Sequence, residues 1–178
     1  MSFNCRTRDV KYDGYSFRSA IEARWYLFYE LLNVQSVYEP STFKVIVDGR
    51  EIWYTPDFEL PELNAFVEIK YEQKAPLEAC RKCKALAVAT GKNVLLFWSP
   101  PWQRKTTGSA YCYKASTGDF EPNHRWTTCP ICAKSGVTAA GVVGDLICGC
   151  EQRHKELSNA SSALIIEAIA KAKAARFF

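Results

Sequence analysis

The sequence predicts an α/β fold whose core runs helix, three strands, helix, strand. A small cysteine-bearing appendage and a C-terminal helix follow it. Three observations carry this expectation. Ile21, Trp25, Phe28 and Leu32 recur at helical spacing as one apolar stripe. Asp48-Gly49, a two-residue hairpin signal, divides two strand-like segments. The apolar run Asn93-Val94-Leu95-Leu96-Phe97-Trp98 follows a helical segment closed by Gly91, as a buried strand would.

Taken in order, Asp13-Gly14 breaks the chain and Ser16 can cap a helix reaching about Leu32. Glu39-Pro40 marks an extended connection, because the residue before proline disfavours helix. Phe43 to Val47 reads as a strand, and Glu51 to about Glu59 as its return strand, with Pro56 near an end or edge. Pro61-Glu62-Leu63-Asn64 is a second turn. Ala65 to Tyr71 is a third strand that places Phe66, Glu68 and Lys70 on one face. Pro76 suits the first turn of a helix ending at Thr90. Residues 99–128, rich in Gly, Ser, Thr and aromatics, match no clear pattern. From about Ser158 to Arg176 the chain is alanine-rich, with Leu157, Leu164, Ile165, Ala168, Ile169 and Ala172 on one stripe. That stripe can pack on the core or on a second copy of the chain, a homodimer. The expected organisation is a core over 1–98, an appendage over 99–157 and a helix over 158–178.

The 178 residues are 48% hydrophobic and 24% charged, ordinary for a chain that buries a core. No apolar run reaches the ~18 residues of a membrane span, and the N-terminus MSFNCRTRD lacks the apolar stretch of a signal peptide. The expectation is a cytoplasmic protein with no membrane partner. Residues 1–98 hold 13 basic and 13 acidic residues, whereas 99–178 hold 10 and 6, so the whole net charge of +4 falls in the second part. This asymmetry points to an anionic partner there. With histidine only at His124 and His154, a Ser-His or Cys-His nucleophile and a histidine-rich metal site are both disfavoured.

Asp57 and Glu68 fall on adjacent predicted strands, and Lys70 lies two residues beyond Glu68 on the same face. Two converging carboxylates suit Mg²⁺, which takes one or two carboxylates plus water and phosphate oxygens. A neighbouring lysine can hold the attacking water, so the set has the chemistry of phosphodiester hydrolysis. The competing reading is a solvated strand face with weak cross-strand ion pairs.

Pro56-Asp57, ten residues, then Glu68-Ile69-Lys70 resembles the signature of the PD-(D/E)xK nuclease superfamily. The element order αβββαβ resembles the restriction-endonuclease-like core of that superfamily, with its mixed central sheet. The stretch Phe17-Arg18-Ser19-Ala20-Ile21-Glu22-Ala23-Arg24-Trp25 is similar to a phage and prophage branch, as are Tyr38-Glu39-Pro40 and Thr55-Pro56-Asp57-Phe58-Glu59-Leu60-Pro61. Ala20 and Tyr71 depart from that branch, which often has arginine and a small residue there. The resemblance implies a metal-dependent endonuclease acting on DNA in a bacterial or phage-infected cell. It implies that Asp57, Glu68 and the Ile69 carbonyl hold Mg²⁺ or Mn²⁺, that Lys70 positions water, and that Glu22 supports the metal or its water. The alternative for Glu22 is an i, i+4 pair with Arg18. Glu39 reads as a further site acid or a loop-closing residue, and Arg24 as a structural ion-pair partner. A non-catalytic nucleic-acid-binding or host-interaction protein on this fold, and an RNA-cutting enzyme, are the alternative functions.

Cys129-Pro130-Ile131-Cys132 and Cys148-Gly149-Cys150 supply four thiolates suited to tetrahedral structural Zn²⁺, with His154 a substitute for Cys150. Cys80 and Cys83 share a helix face. With Cys5 and Cys112 they could form a four-cysteine iron–sulfur set, but the spacing differs from that known in the superfamily, and buried thiols are the alternative. Trp102, Arg104, Lys105, Tyr111, Tyr113, Lys114, Arg125 and Trp126 mix basic and aromatic residues. Of these, Arg104, Lys105, Arg125 and Trp126 are the candidate nucleic-acid contacts, and a small aromatic core around zinc is the other reading.

Overall fold

The computed structural model describes residues 9–70, 76–102, 110–115, 117–129, 132–139 and 163–177. Asp13 and Gly14 both adopt positive φ, 48° and 80°, the backbone that a two-residue hairpin needs. They join β1 (Val10–Tyr12) to β2 (Tyr15–Phe17), an antiparallel pair. This corrects the expected helix start at Ser16. The hairpin claims residues 15–17, and α1 (Ala20–Leu31) begins after Ser19, whose hydroxyl accepts the Glu22 N–H at 3.3 Å.

After β3 (Val37–Tyr38), the Asp48-Gly49 turn joins β4 (Phe43–Val47) to β5 (Arg50–Tyr54), as the sequence predicts. The return strand does not continue to Glu59. Chain direction changes around Pro56, so β4 and β5 form a two-stranded sheet of their own while β6 (Phe58–Leu60) joins the main sheet. A single 3₁₀ turn (Pro61–Leu63) leads through left-handed Asn64 into β7 (Ala65–Ile69). Then come α2 (Leu77–Thr90), stopped by Gly91 at φ 66°, and β8 (Asn93–Phe97). The remaining elements are β9 (Ala110–Tyr113), β10 (Phe120–Thr128), β11 (Ser135–Ala139) and α3 (Ala163–Ala174).

The main sheet has seven strands in the order β11-β10-β9-β8-β7-β6-β3. Only β7 and β8, joined through α2, run parallel; the other neighbours are antiparallel, so the sheet is mixed. Residues 110–139 therefore extend the core sheet, and the expected boundary at residue 98 is not a boundary of the sheet. The cause is direct pairing: Leu95 on β8 lies opposite Cys112 on β9.

Side-chain alternation sends each strand's residues to two cores. On one face α1, α3 and the β1–β2 hairpin cover Val67, Leu95, Cys112 and Trp126. On the other, α2 and the β4–β5 hairpin cover Phe66, Val94, Leu96 and Tyr113. Each fully buried side chain of Leu or Phe size contributes roughly 1.5–3 kcal/mol. The sheet thus lies between two apolar layers, with the acidic residues at one end of its central strands. From α3, Ile165, Ala168 and Ala172 are buried on the α1 side, so the helix packs on the core. Leu164, expected in that stripe, is exposed.

Arg24 ties these parts together. Its guanidinium lies 5.6 Å from the Trp102 ring and 5.5 Å from the Phe177 ring, and it donates to the Ala175 carbonyl at 3.3 Å. These contacts are with rings and a carbonyl, where the sequence predicts an ion pair.

Candidate active site

Every residue of β7 is buried, so a carboxylate within it is costly unless something compensates. Glu68 is that carboxylate, at 4% exposure, and Asp57 joins it at 3% from the bend between β5 and β6. The Ile69 N–H donates to Asp57 Oδ2 at 2.7 Å, which pins the acid to the end of β7. The Lys70 N–H donates to the Phe97 carbonyl at 2.7 Å, fixing the residue that follows the strand. The Lys70 ammonium then turns back onto Glu68 Oε1 and lies 3.3 Å from the Ile69 carbonyl oxygen.

The electrostatics follow from this crowding. Burial pushes the Asp57 carboxyl well above its usual range, and the Glu68 charge pushes it further; Lys70 and the Ile69 N–H pull the other way. For Lys70, burial acts to lower the value, but the carboxylates of Glu68 and Asp57 hold it above normal.

Glu22 stands at the rim of this group, held by its own helix end. Ser19 Oγ donates to Oε1 at 2.7 Å, and the Tyr38 hydroxyl donates to Oε2 at 2.6 Å. Its charge reaches Asp57 without direct contact. The i, i+4 pair with Arg18 is not formed. Arg18 precedes the helix and reaches Asp57 Oδ1 at 3.0 Å and Glu39 Oε1 at 2.8 Å instead. The Glu39 N–H donates to the Asp57 carbonyl at 2.9 Å, so Glu39 also closes its loop through hydrogen bonds.

Arg18 as a site residue, Tyr38 and Tyr54 escape the sequence reading. Tyr54 is the inward residue of β5, and its phenol lies beside Glu68 and Cys83. Burial, followed by the charges around it, pushes that phenol far above its ordinary value. Its hydroxyl and Glu68 Oε2 are both buried and neither makes a well-formed hydrogen bond, although the phenol is a hydrogen-bonding neighbour of the carboxylate. Alternation from the hairpin turn at Asp48-Gly49 was the available signal, since it makes Trp53 face out and Tyr54 face in.

The donor set, two carboxylates and a carbonyl, is of the kind a divalent cation takes. Glu68 Oε2 is a buried oxygen without a well-formed hydrogen bond, and a lysine ammonium already sits against two of the three expected ligands, Glu68 and the Ile69 carbonyl. Among the described residues no three His, Cys, Asp or Glu side chains gather into a metal cage. A site of two carboxylates and a carbonyl, completed by water and phosphate, matches what Mg²⁺ accepts.

Other expectations meet the structure less well. Trp126 is 2% exposed in the α1-side core, 5.5 Å from Phe28 and 5.6 Å from Tyr29. It is therefore not a nucleic-acid contact; the alternation of β10 sends it inward. Arg125 alternates with it, its Nε buried and without a hydrogen-bond partner. Arg104 and Lys105 lie outside the described residues. Cys129 and Cys132 lie between β10 and β11, where the Cys129 N–H donates to the Lys134 carbonyl at 2.8 Å. Cys148, Cys150 and His154, which would complete the zinc set, lie outside the described residues, as do Cys5 and Tyr71. Cys83 and Cys112 belong to cores on opposite faces of the sheet, so they cannot share one cluster.

Fold and site together define a mixed α/β protein of three α-helices and a seven-stranded mixed sheet among the described residues, with a buried acid pair beside a lysine. No protein-family model, curated protein or solved structure matches the chain. No helix among the described residues is long and apolar enough to cross a membrane.

Proposed function

We propose that the protein is a Mg²⁺-dependent endonuclease that hydrolyses DNA phosphodiester bonds. The observation that carries this reading is the Lys70 ammonium lodged against Glu68 and the Ile69 carbonyl, beside a second buried carboxylate, Asp57.

Asp57, Glu68 and the Ile69 carbonyl would hold the cation, which when bound supplies charge stabilisation at the phosphate. Lys70, released from Glu68, holds the attacking water by its ammonium group. Water adds to phosphorus and releases a proton to solvent, the bridging P–O bond breaks, and the leaving oxygen takes up a proton from solvent. Glu22, held by Ser19 and Tyr38, orients water at the rim. Structural Zn²⁺ on Cys129, Cys132, Cys148 and Cys150 belongs to the same proposal, as do the basic residues Arg104 and Lys105 on the path of the DNA.

Plasmid DNA, single-stranded DNA and RNA, each incubated with Mg²⁺ or Mn²⁺, test the reading. Cleavage of DNA that is lost in Asp57→Ala and Lys70→Ala supports it. Equal cleavage by either variant refutes the site, and tight DNA binding without cleavage under any divalent ion favours a binding protein. Cleavage confined to RNA replaces the substrate.

A further inference from the structure

Arg18 is rooted in the core but carries its charge at the surface. The Phe17 ring before it is fully buried, and the Arg18 N–H donates to the Tyr38 hydroxyl at 3.1 Å. Its side chain is nevertheless 57% exposed and spans two acids, Nη2 on Asp57 Oδ1 and Nε on Glu39 Oε1. Asp57 Oδ2 is already engaged by the Ile69 N–H, so Oδ1 is the oxygen on which Arg18 meets the acid pair.

We propose that Arg18 exchanges partners during the reaction, closing Asp57 while the metal is absent and gripping a nucleic-acid phosphate once a divalent cation takes Asp57. The inference rests on the nuclease reading above and names the residue that would read the substrate's backbone. A cation on Asp57 competes with the guanidinium for Oδ1. Displaced, the Arg18 head is 57% exposed and can be solvated by water, whereas Asp57 exchanges one cation for another. Glu39 retains the Nε bond and keeps the fork at the mouth of the site. A planar fork of N–H donors fits two phosphate oxygens at once, which the compact ammonium of Lys70 does not. The division of labour is thus Lys70 on water and Arg18 on phosphate.

The test uses the full chain. Mn²⁺ alone is titrated into wild type and Arg18→Gln. Binding of a short random-sequence duplex is then measured against salt in Mn²⁺, in a Lys70→Ala background that blocks cleavage. Arg18→Gln should bind Mn²⁺ about two- to fivefold more tightly, as expected for removal of an exposed ionic competitor. It should bind the duplex more weakly, with the log–log salt slope reduced by about 0.9, one phosphate contact. A purely structural ion pair moves neither quantity in these opposite senses. Unchanged or weaker Mn²⁺ binding, or an unchanged salt slope, in a variant that melts like wild type overturns the assignment. Should Arg18→Gln fail to fold, Arg18→Lys decides: weaker duplex binding at an unchanged slope supports the fork, and wild-type duplex affinity overturns it. Failure of these variants while wild type binds Mn²⁺ and cuts DNA removes Arg18 alone; a wild type that does neither removes both readings.

Discussion

Replacing Glu68 by Gln should make the metal-free protein more stable while abolishing its activity. The carboxylate is 4% exposed, and its Oε2 makes no well-formed hydrogen bond. A buried, unsatisfied charged acceptor costs about 1–3 kcal/mol or more. The substitution also removes the Lys70–Glu68 ion pair, but the Lys70 side chain is 38% exposed and can re-solvate, so that loss is about 1 kcal/mol. Repulsion between Glu68 and Asp57 also disappears. The balance is a gain of about 1–2 kcal/mol, or roughly 2–8 °C in Tm for a chain of this size. Thermal melts in EDTA near pH 8 read this directly. Excess Mn²⁺ should then reverse the order, because binding stabilises only the chain that retains its ligand. A Glu68→Gln chain less stable than wild type in EDTA would refute the argument that Lys70 compensates the buried Glu68 charge only in part.

Lys70→Ala should lower the cleavage rate by about 10²-fold or more while leaving Mn²⁺ binding intact or tighter, since its ammonium competes for Glu68; calorimetric titration and a cleavage time course separate the two effects. Tyr54→Phe removes a buried hydroxyl that lacks a well-formed partner, so its Tm in EDTA should equal or exceed that of wild type, read by thermal melts. The pH dependence has a definite sign. Because the folded-state value of Asp57 is raised, its contribution to metal-free stability is full below the ordinary carboxylate range and lost as pH rises through the raised value. The stabilisation by Mn²⁺ should therefore widen between about pH 5 and about pH 8, measured as the Tm gap with and without metal. Trp126→Ala should cost about 3–5 kcal/mol of stability through the cavity it leaves, read by denaturant titration; a folded variant with weakened DNA binding would restore Trp126 as a nucleic-acid contact.

The elements that periodicity and turn chemistry specify were legible. Trp25 and Phe28 face the core as their spacing predicts, Asp48-Gly49 makes its hairpin, and Gly91 ends α2. The errors arose where two local signals competed. Asp13-Gly14 read as a mere break hid the β1–β2 hairpin, and the capping pattern Ser19-Ala20-Ile21-Glu22 was overlooked in favour of Ser16. The β9–β11 extension was illegible because residues 110–139 mix polar and aromatic side chains, and only pairing with β8 makes strands of them. Asp57, Glu68 and Lys70 were placed together from spacing alone, whereas Arg18 and Tyr54 reach the site through tertiary packing that leaves no local pattern.

The bond between Arg24 and the Ala175 carbonyl joins residues 151 positions apart, and with it α3 backs the helix that carries Glu22. Contacts this distant must bear the entropy of closing almost the whole chain before they return any stability. During synthesis α1 can form early, yet its outer flank stays bare until residues 163–177 have been made. Glu22 has its partners Ser19 and Tyr38 early, but the helix that carries it gains its backing last, so a ribosome-bound fragment ending before α3 would hold the site on a helix bare on one side.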